Sequence, residues 1–231
     1  MIIDGKILSS FLAKVAVEGI EECVLDFNEQ ELSVCSTNNS NTTMVICSLN
    51  KKSFNSYETL GKVGVNNLTK LNNALNSMSS EVVISKKDNL LMLCTKTSEF
   101  DLVLPHLDTI PTPSKLPELS FDINFNLNSE ILRKVMKCSE IVEKGASITF
   151  RGDNKKLIIE SGNDDKFREL VYVPEIISDL KVKFSEPLKQ VFTVLDGVVN
   201  ISLKSDYPIK IMQKTEQASF VYIVAPLNSE E

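Results

Sequence analysis

The sequence predicts an α+β protein built from two duplicated β-sheet domains, each with two helices. Three observations lead to this fold class. Four segments have the apolar period of amphipathic helices, short strand-like runs fill most of the remaining chain, and the order of elements repeats. Leu12 and Leu132 are 120 residues apart, as are Leu68 and Leu188. An all-β sandwich with decorating helices would produce much of the same pattern, so periodicity alone leaves the architecture open.

Each predicted helix presents one apolar stripe. The helices are expected at Leu8–Gly19, Asn66–Met78, Ser129–Val142 and Ser185–Leu195. From Leu8 onward, apolar residues recur at i, i+3, i+4, i+7 and i+8, which is typical of a helix that buries one face.

Twelve strands are expected between these helices. In the first half they are Cys23–Phe27, Glu31–Cys35, Met44–Leu49, Val82–Ser85, Leu90–Lys96 and Glu99–Leu104. In the second half they are Ser147–Phe150, Lys156–Glu160, Phe167–Val173, Val198–Leu203, Ile209–Gln213 and Ser219–Val224. Turn residues at Asp88-Asn89 and at Gly152-Asp153-Asn154 separate neighbouring strands, as hairpins require.

A proline-rich segment divides the two halves. Residues Pro105 to Ser120 include four prolines, which exclude a helix or a central strand and indicate an extended surface connector. We therefore expect a first domain at 1–104, a connector at 105–120 and a second domain at 121–231, which ends in a short acidic tail.

The composition offers little for catalysis. His106 is the only histidine, the five cysteines include no CxxC pair, and no phosphate-binding glycine loop is present. We expect no catalytic residue, metal or cofactor, although a hydrolase that uses scattered carboxylates remains the least favoured alternative. No apolar run approaches the ~20 residues of a membrane span, and MIIDGKIL lacks the pattern of a signal peptide. An intracellular protein is expected.

Three stretches resemble the two-domain DNA sliding clamps of the proliferating cell nuclear antigen (PCNA) type. They are FNSYETLGKVGVNNLTKLNNAL from Phe54, LVLPHLDTIPTPSKLPELS from Leu102, and DYPIKI followed by VYIVAP near the end. They resemble the strand and Gly-Val-Asn-Leu helix of that family's first domain, its interdomain connecting loop, and its closing hairpin with the Ala-Pro ending. The length and the duplicated plan agree over essentially the whole chain.

The resemblance implies a ring of three identical subunits around duplex DNA, with helices lining the hole. Head-to-tail closure would pair an edge strand of one subunit with an edge strand of the next, which leaves no edge open. By family position those edges are Glu99–Leu104 and Phe167–Val173. The interface residues expected there are Phe100, Leu102, Leu104, Leu170 and Tyr172.

The resemblance also places DNA contacts on the helices. The candidates are Lys14, Lys70, Asn73, Asn76, Arg133, Lys134, Lys137 and Lys189. The predicted helical windows hold six basic residues and four carboxylates, so they carry +2 in a chain of −6, and the remainder carries −8. A positive hole would attract phosphates without reading sequence. Because the excess is small, we expect weak binding to open DNA and retention mainly by encirclement.

Two further implications concern partners. In the family, short peptides of polymerases and other replication or repair proteins bind between the connector and the C-terminal segment. The matching positions are Met44, Leu107, Ile110, Pro111, Pro208, Ile223, Ala225, Pro226 and Leu227. A loader would open and close the ring on DNA in the nucleoid, the nucleus or an infected cell. The alternative is a β-rich adaptor, or a subunit of a mixed ring, that does not encircle DNA by itself.

Overall fold

The computed structural model describes residues 1–78, 80–113, 115–176 and 179–227. The chain divides into two compact units, Met1–Leu116 with Lys214–Phe220, and Pro117–Gln213 with Val221–Glu231. The main division falls inside the segment predicted as a connector. The predicted acidic tail, residues 228–231, lies outside the described residues.

One pattern, a strand followed by a helix and three strands, occurs four times along the chain. The first half contains β1 (Ile2–Asp4), α1 (Gly5–Val15), β2 (Cys23–Phe27), β3 (Glu31–Thr37), β4 (Thr43–Asn50), β5 (Gly61–Val65), α2 (Leu68–Ser77), β6 (Glu81–Lys87), β7 (Leu90–Cys94) and β8 (Glu99–Val103). The second half contains β9 (Ile123–Asn128), α3 (Ser129–Val142), β10 (Ile148–Asp153), β11 (Lys156–Ser161), β12 (Phe167–Tyr172), β13 (Lys181–Phe184), α4 (Glu186–Val194), β14 (Val198–Leu203), β15 (Ile209–Lys214) and β16 (Ala218–Val224).

The four strands absent from the list predicted by periodicity, β1, β5, β9 and β13, each precede a helix, and for β5 alone the family resemblance implied a strand in this region. They are short, and two of them run into their helices without a turn. Asp4 ends β1, and its side chain caps α1 by accepting a hydrogen bond from the Lys6 amide. Asn128 ends β9, and its side chain caps α3 by accepting a hydrogen bond from the Glu130 amide. Because the last strand residue is also the helix cap, no turn signal separates the two elements.

The first unit contains a sheet of order β1-β6-β7-β8 and a second group of strands in the order β5-β2-β3-β4. The second unit contains a sheet of order β12-β11-β10-β13 and the neighbours β15-β14-β9. The residues of β16 are shared between the units. The α+β class with duplicated domains is confirmed, and β8 and β12 lie at sheet edges.

The helices bury the apolar stripes read from the sequence. Leu12, Leu68, Leu132 and Leu188 are all fully buried. The bounds of α3 match the prediction, whereas α1 begins three residues earlier and ends four residues earlier than expected. None of the described helices combines the length and the apolar character needed to cross a membrane.

Candidate nucleic-acid and partner interfaces

The four helices together carry a net positive charge, although the whole chain is acidic. They contain seven basic residues and three glutamates, a net charge of +4, which leaves −10 for the rest of the chain. The excess is larger than the predicted +2 because α1 includes Lys6 and ends before Glu18. Lys6 is exposed in the first turn of α1, and the sequence analysis missed it because the predicted helix began at Leu8.

Most of the predicted DNA-binding side chains reach the surface. The exposed members are Lys70, Asn73, Asn76, Lys134 and Lys137. Lys14 and Arg133 are half-buried. The Lys14 ammonium lies 5.0 Å from the centre of the Phe220 ring, and Arg133 donates to the Leu195 carbonyl at 3.2 Å. These two cations are therefore partly engaged within the subunit.

The structure contradicts the prediction for Lys189. Its side chain is 2% exposed, and its ammonium lies 2.6 Å from Glu140 Oε1 and 3.3 Å from Glu186 Oε2. Two carboxylates neutralise this cation and enclose it between α3 and α4, so it cannot contact a phosphate. The bond from Lys189 lowers the pKa of the Glu140 carboxyl, which favours the ionised carboxylate.

The side chains exposed on β12 include the predicted ones, whereas those exposed on β8 differ from the prediction. Leu170 and Tyr172 on β12 are 64% and 69% exposed, in keeping with a contact surface. On β8, Leu102 is 3% exposed and the following Leu104 is 9% exposed, because both side chains pack into their own unit. Any contact at those two positions would use the backbone. The apolar side chain that β8 presents outward is Val103, 62% exposed, which alternation along the strand could have indicated.

A lysine from a neighbouring helix flanks each of these edges. Lys70 of α2 lies 5.8 Å from the centre of the Phe100 ring on β8. Lys134 of α3 lies 6.0 Å from the Phe167 ring on β12, and its ammonium is 2.7 Å from Glu169 Oε2. Lys70 and Lys134 thus lie where the helices meet the sheet edges, and both remain exposed.

The connector begins with a short turn packed on β5. Ile110 is 4% exposed, and a Cβ added to Gly64 would lie only 2.7 Å from Ile110 Cδ1. A side chain at position 64 would therefore displace the end of the Ile110 side chain from this contact. Ile110 anchors the connector and is not available to a partner, whereas Leu107 is 40% exposed and Pro111 is exposed. Leu116, 58% exposed, is a further apolar connector residue that the resemblance did not identify.

The remaining predicted groove residues are half-buried. They are Met44 in the first unit and Pro208, Ile223, Ala225, Pro226 and Leu227 in the second. The Leu227 amide donates to the Lys183 carbonyl at 2.8 Å, which fixes the C-terminal segment beside β13.

No arrangement suited to bond chemistry is found in the part of the chain that the structure describes. These residues contain no group of three potential metal ligands from His, Cys, Asp and Glu. Burial raises the pKa of the Cys23 thiol to about 12 and also raises the pKa of Cys35, so neither forms a thiolate near neutral pH.

Comparisons with known proteins agree with this architecture. No protein-family model matches the chain. A DNA polymerase sliding clamp of Methanococcus vannielii is 23% identical over 228 residues, which cover 90% of each chain.

Two solved structures extend the likeness to three dimensions. The chain of A. fulgidus PCNA bound to the C-terminal region of FEN-1 matches with a TM-score of 0.85 and 22% identity, over 100% of this chain and 98% of that one. PCNA from Thermococcus kodakaraensis matches with a TM-score of 0.80 and 19% identity, over 98% of both chains. The resemblance read from the sequence is thereby confirmed, and the chain has the two-domain fold of the PCNA-type sliding clamps.

Proposed function

We propose that this chain is a sliding clamp, a processivity factor that encircles duplex DNA and tethers a DNA polymerase. The observation that carries the proposal is the clamp fold over the whole chain, combined with helices of net charge +4 in a protein of net charge −6. Tethering makes each polymerase dissociation an intramolecular rebinding event, so no bond chemistry is required of the clamp. We therefore propose that it is not an enzyme and works wherever the cell's or virus's DNA is copied.

Contact with DNA would come from exposed residues on the helices. Lys6, Lys70 and Lys137 can each neutralise a phosphate, and Asn73 can donate a hydrogen bond to one, whereas the exposed Lys134 would have to exchange Glu169 for the phosphate. Such contacts position the duplex without reading its bases, so the ring could move along it. Lys189 takes no part because its charge is already neutralised.

The two edge strands support a ring of identical subunits. The outward side chains of β8 are Glu99, Asp101 and Val103, whereas those of β12 are Arg168, Leu170 and Tyr172. The outward side chains of β8 carry two negative charges and those of β12 carry one positive charge, so pairing β8 with β12 of the next copy brings opposite net charges together. Pairing β8 with another β8 would oppose carboxylates, which is unfavourable. Head-to-tail closure is the arrangement that this charge pattern favours.

Partner proteins would bind through the connector and the C-terminal segment. The A. fulgidus relative is described as bound to the C-terminal region of FEN-1. In this chain the exposed apolar connector residues are Leu107 and Leu116. We propose that these leucines contact peptides of the polymerase, the clamp loader and other replication or repair proteins, while buried Ile110 holds the connector in place.

The first experiment is the solution mass by light scattering over a dilution series. A homotrimer predicts three times the chain mass of 25.8 kDa, maintained on dilution. A stable monomer would overturn the homotrimeric ring and favour an adaptor or a subunit of a mixed ring.

Encirclement can be tested without a loader or a polymerase, because a ring can thread over a free DNA end. Linear duplex attached to a bead at one end is incubated with the protein, and the free end is blocked before or after the incubation. Only blocking afterwards should retain protein through a high-salt wash, which removes surface-bound protein. Equal retention in both orders would contradict encirclement.

A further inference from the structure

The outward face of the β12-β11-β10-β13 sheet carries an unusual excess of positive charge. The strand registers place Arg151, Lys156, Arg168, Lys181 and Lys183 on this face, together with the acidic Asp153 and Glu160. Its net charge is therefore +3, in a chain of −6. The inward face is apolar, with Phe150, Ile159 and Val182 buried, and α3 packs against β11 and β12.

The corresponding sheet of the first unit has the opposite charge. In the order β1-β6-β7-β8, the outward face carries Asp4, Glu81, Lys87, Glu99 and Asp101, a net charge of −3. Because both sheets have four antiparallel strands and one buried face, the fold does not require basic residues at these positions. The basic face needs another explanation.

The arrangement of the basic residues is also unfavourable within the isolated subunit. Arg151 stands directly opposite Lys181 in the β10–β13 ladder, and like charges at such positions destabilise a sheet. Arg168 pairs with Glu160 at 3.1 Å. In the described parts of the chain, Arg151, Lys156, Lys181 and Lys183 form no ion pair. An acidic ligand would relieve this repulsion.

We propose that this face, centred on Arg151, Lys181 and Lys183, binds a short acidic segment of a partner protein. The proposal rests on the ring proposed above. There the helices face the duplex, so the opposite face of this sheet points away from the encircled DNA. Since Leu170 and Tyr172 on β12 belong to the proposed contact between copies, the available patch lies on β10, β11 and β13.

Carboxylates limit the size of the patch. Asp153 stands opposite Lys156 at one end, and Glu160 stands opposite Thr149. Beside β13, the Asp206 amide donates to the Lys181 carbonyl, and Asp179 lies two residues before that lysine. A short segment with a few carboxylates fits within this boundary, whereas a long nucleic acid would also meet the surrounding negative charges.

The test measures binding of a fluorescein-labelled peptide, Glu-Ala-Glu-Glu-Ala-Glu, by fluorescence anisotropy at low and high salt. Its matched control replaces every glutamate with glutamine. Reversing two charges in the double variant Lys181→Glu, Lys183→Glu should weaken binding of the acidic peptide by about tenfold or more at low salt. The control variant Lys86→Glu, Lys87→Glu changes two exposed lysines of the first unit and should leave binding within about twofold of the original chain.

Several outcomes would overturn the proposal. They are equal binding of the two peptides, unchanged binding by the Lys181 and Lys183 variant, or binding of a single-stranded oligonucleotide of equal charge in preference to the peptide. If the original chain formed species larger than one ring and the Lys181 and Lys183 variant did not, the occupant of this face would be the acidic β1-β6-β7-β8 sheet of another copy and not a partner protein. Mass and DNA threading should be unchanged in the variant. Failure of those two measurements in the original chain would instead count against the clamp function.

Discussion

The two helix pairs of this chain are joined by different polar contacts. Between α1 and α2, the buried Ser9 hydroxyl lies 2.6 Å from the side-chain oxygens assigned to both Asn72 and Asn76. Between α3 and α4, the buried ammonium of Lys189 contacts Glu140 and Glu186. One contact is neutral and the other ionic, although both join helices of the same fold.

The neutral contact can be satisfied by turning one amide. A hydroxyl has a single hydrogen, so Ser9 can donate to only one of the two asparagines. The other amide can present its NH₂ group to the Ser9 oxygen after a half-turn, which changes the packing little because amide nitrogen and oxygen are similar in size. The ionic contact has no such freedom, since a buried ammonium must keep its carboxylates.

The difference shows that a basic residue on a clamp helix need not serve DNA. Lys189 adds a positive charge to the count for α4 but contributes nothing to the surface. On α3 the exposed Lys137 is available instead, and the exposed Lys134 pairs with Glu169 at 2.7 Å. The second helix pair therefore uses one lysine for cohesion and leaves the proposed DNA contact to its other exposed basic residues.

The largest effect expected is from removing both acceptors of Lys189. The double variant Glu140→Gln, Glu186→Gln leaves a buried cation without a counter-charge, which is strongly destabilising. We expect its loss of unfolding free energy to be several times that of any change at Ser9. Urea unfolding at one fixed protein concentration measures it, because the stability of an oligomer depends on concentration.

The matched control is Lys189→Met, which keeps a long side chain but removes the charge. Glu140 and Glu186 are 42% and 51% exposed, so water can solvate them once the lysine is gone. We expect this variant to lie within about 1 kcal/mol of the original chain. A large loss of unfolding free energy in Lys189→Met, together with a small loss in the double glutamine variant, would contradict this interpretation of the contact.

A smaller effect is expected at the neutral contact. Ser9→Ala removes the hydroxyl but leaves Asn72 and Asn76, which are half-buried and exposed, to bond with water. The expected loss is about 1 kcal/mol, the ordinary contribution of one hydrogen bond. A loss as large as that of the double glutamine variant would mean that the two helix pairs depend equally on their polar contacts.

The sequence predicted the elements better than the contacts between them. Helix α3 and strands β2 and β14 have the predicted bounds, because apolar period and turn residues are local signals. Strands β1, β5, β9 and β13 were missed by periodicity because each is short and directly precedes a helix. The fourfold strand-helix-strand-strand-strand pattern was consequently seen only as a twofold duplication.

The misplaced site residues have a common cause. Glu186 is visible three residues before Lys189, but Glu140 lies 49 residues away in the sequence, so the enclosure of the lysine has no local signal. Ile110 was assigned to a partner groove by the family resemblance, and its burial against Gly64, 46 residues earlier in the chain, has no local signal in the sequence. On β8, by contrast, alternation alone could have distinguished inward Leu102 from outward Val103.

The smallest effect expected is on pH dependence, where the two contacts should differ in kind. The bond from Lys189 lowers the pKa of Glu140 below its ordinary value of about 4.5, so this contact stabilises the folded state above that value. The stabilisation is lost as pH falls through the lowered pKa. Lys189→Met lacks this contribution, and its stability should therefore rise relative to the original chain as pH decreases from about 7 to about 3.

Ser9→Ala provides the comparison, because neither the hydroxyl nor the amides titrate in this range. Its difference from the original chain should stay constant from about pH 7 to about pH 3 in parallel urea unfolding series. If the difference in unfolding free energy from the original chain is independent of pH for both variants, the Glu140 carboxyl is not coupled to folding through Lys189. A rising difference for Lys189→Met alone would identify the second helix pair as the one whose cohesion depends on charge.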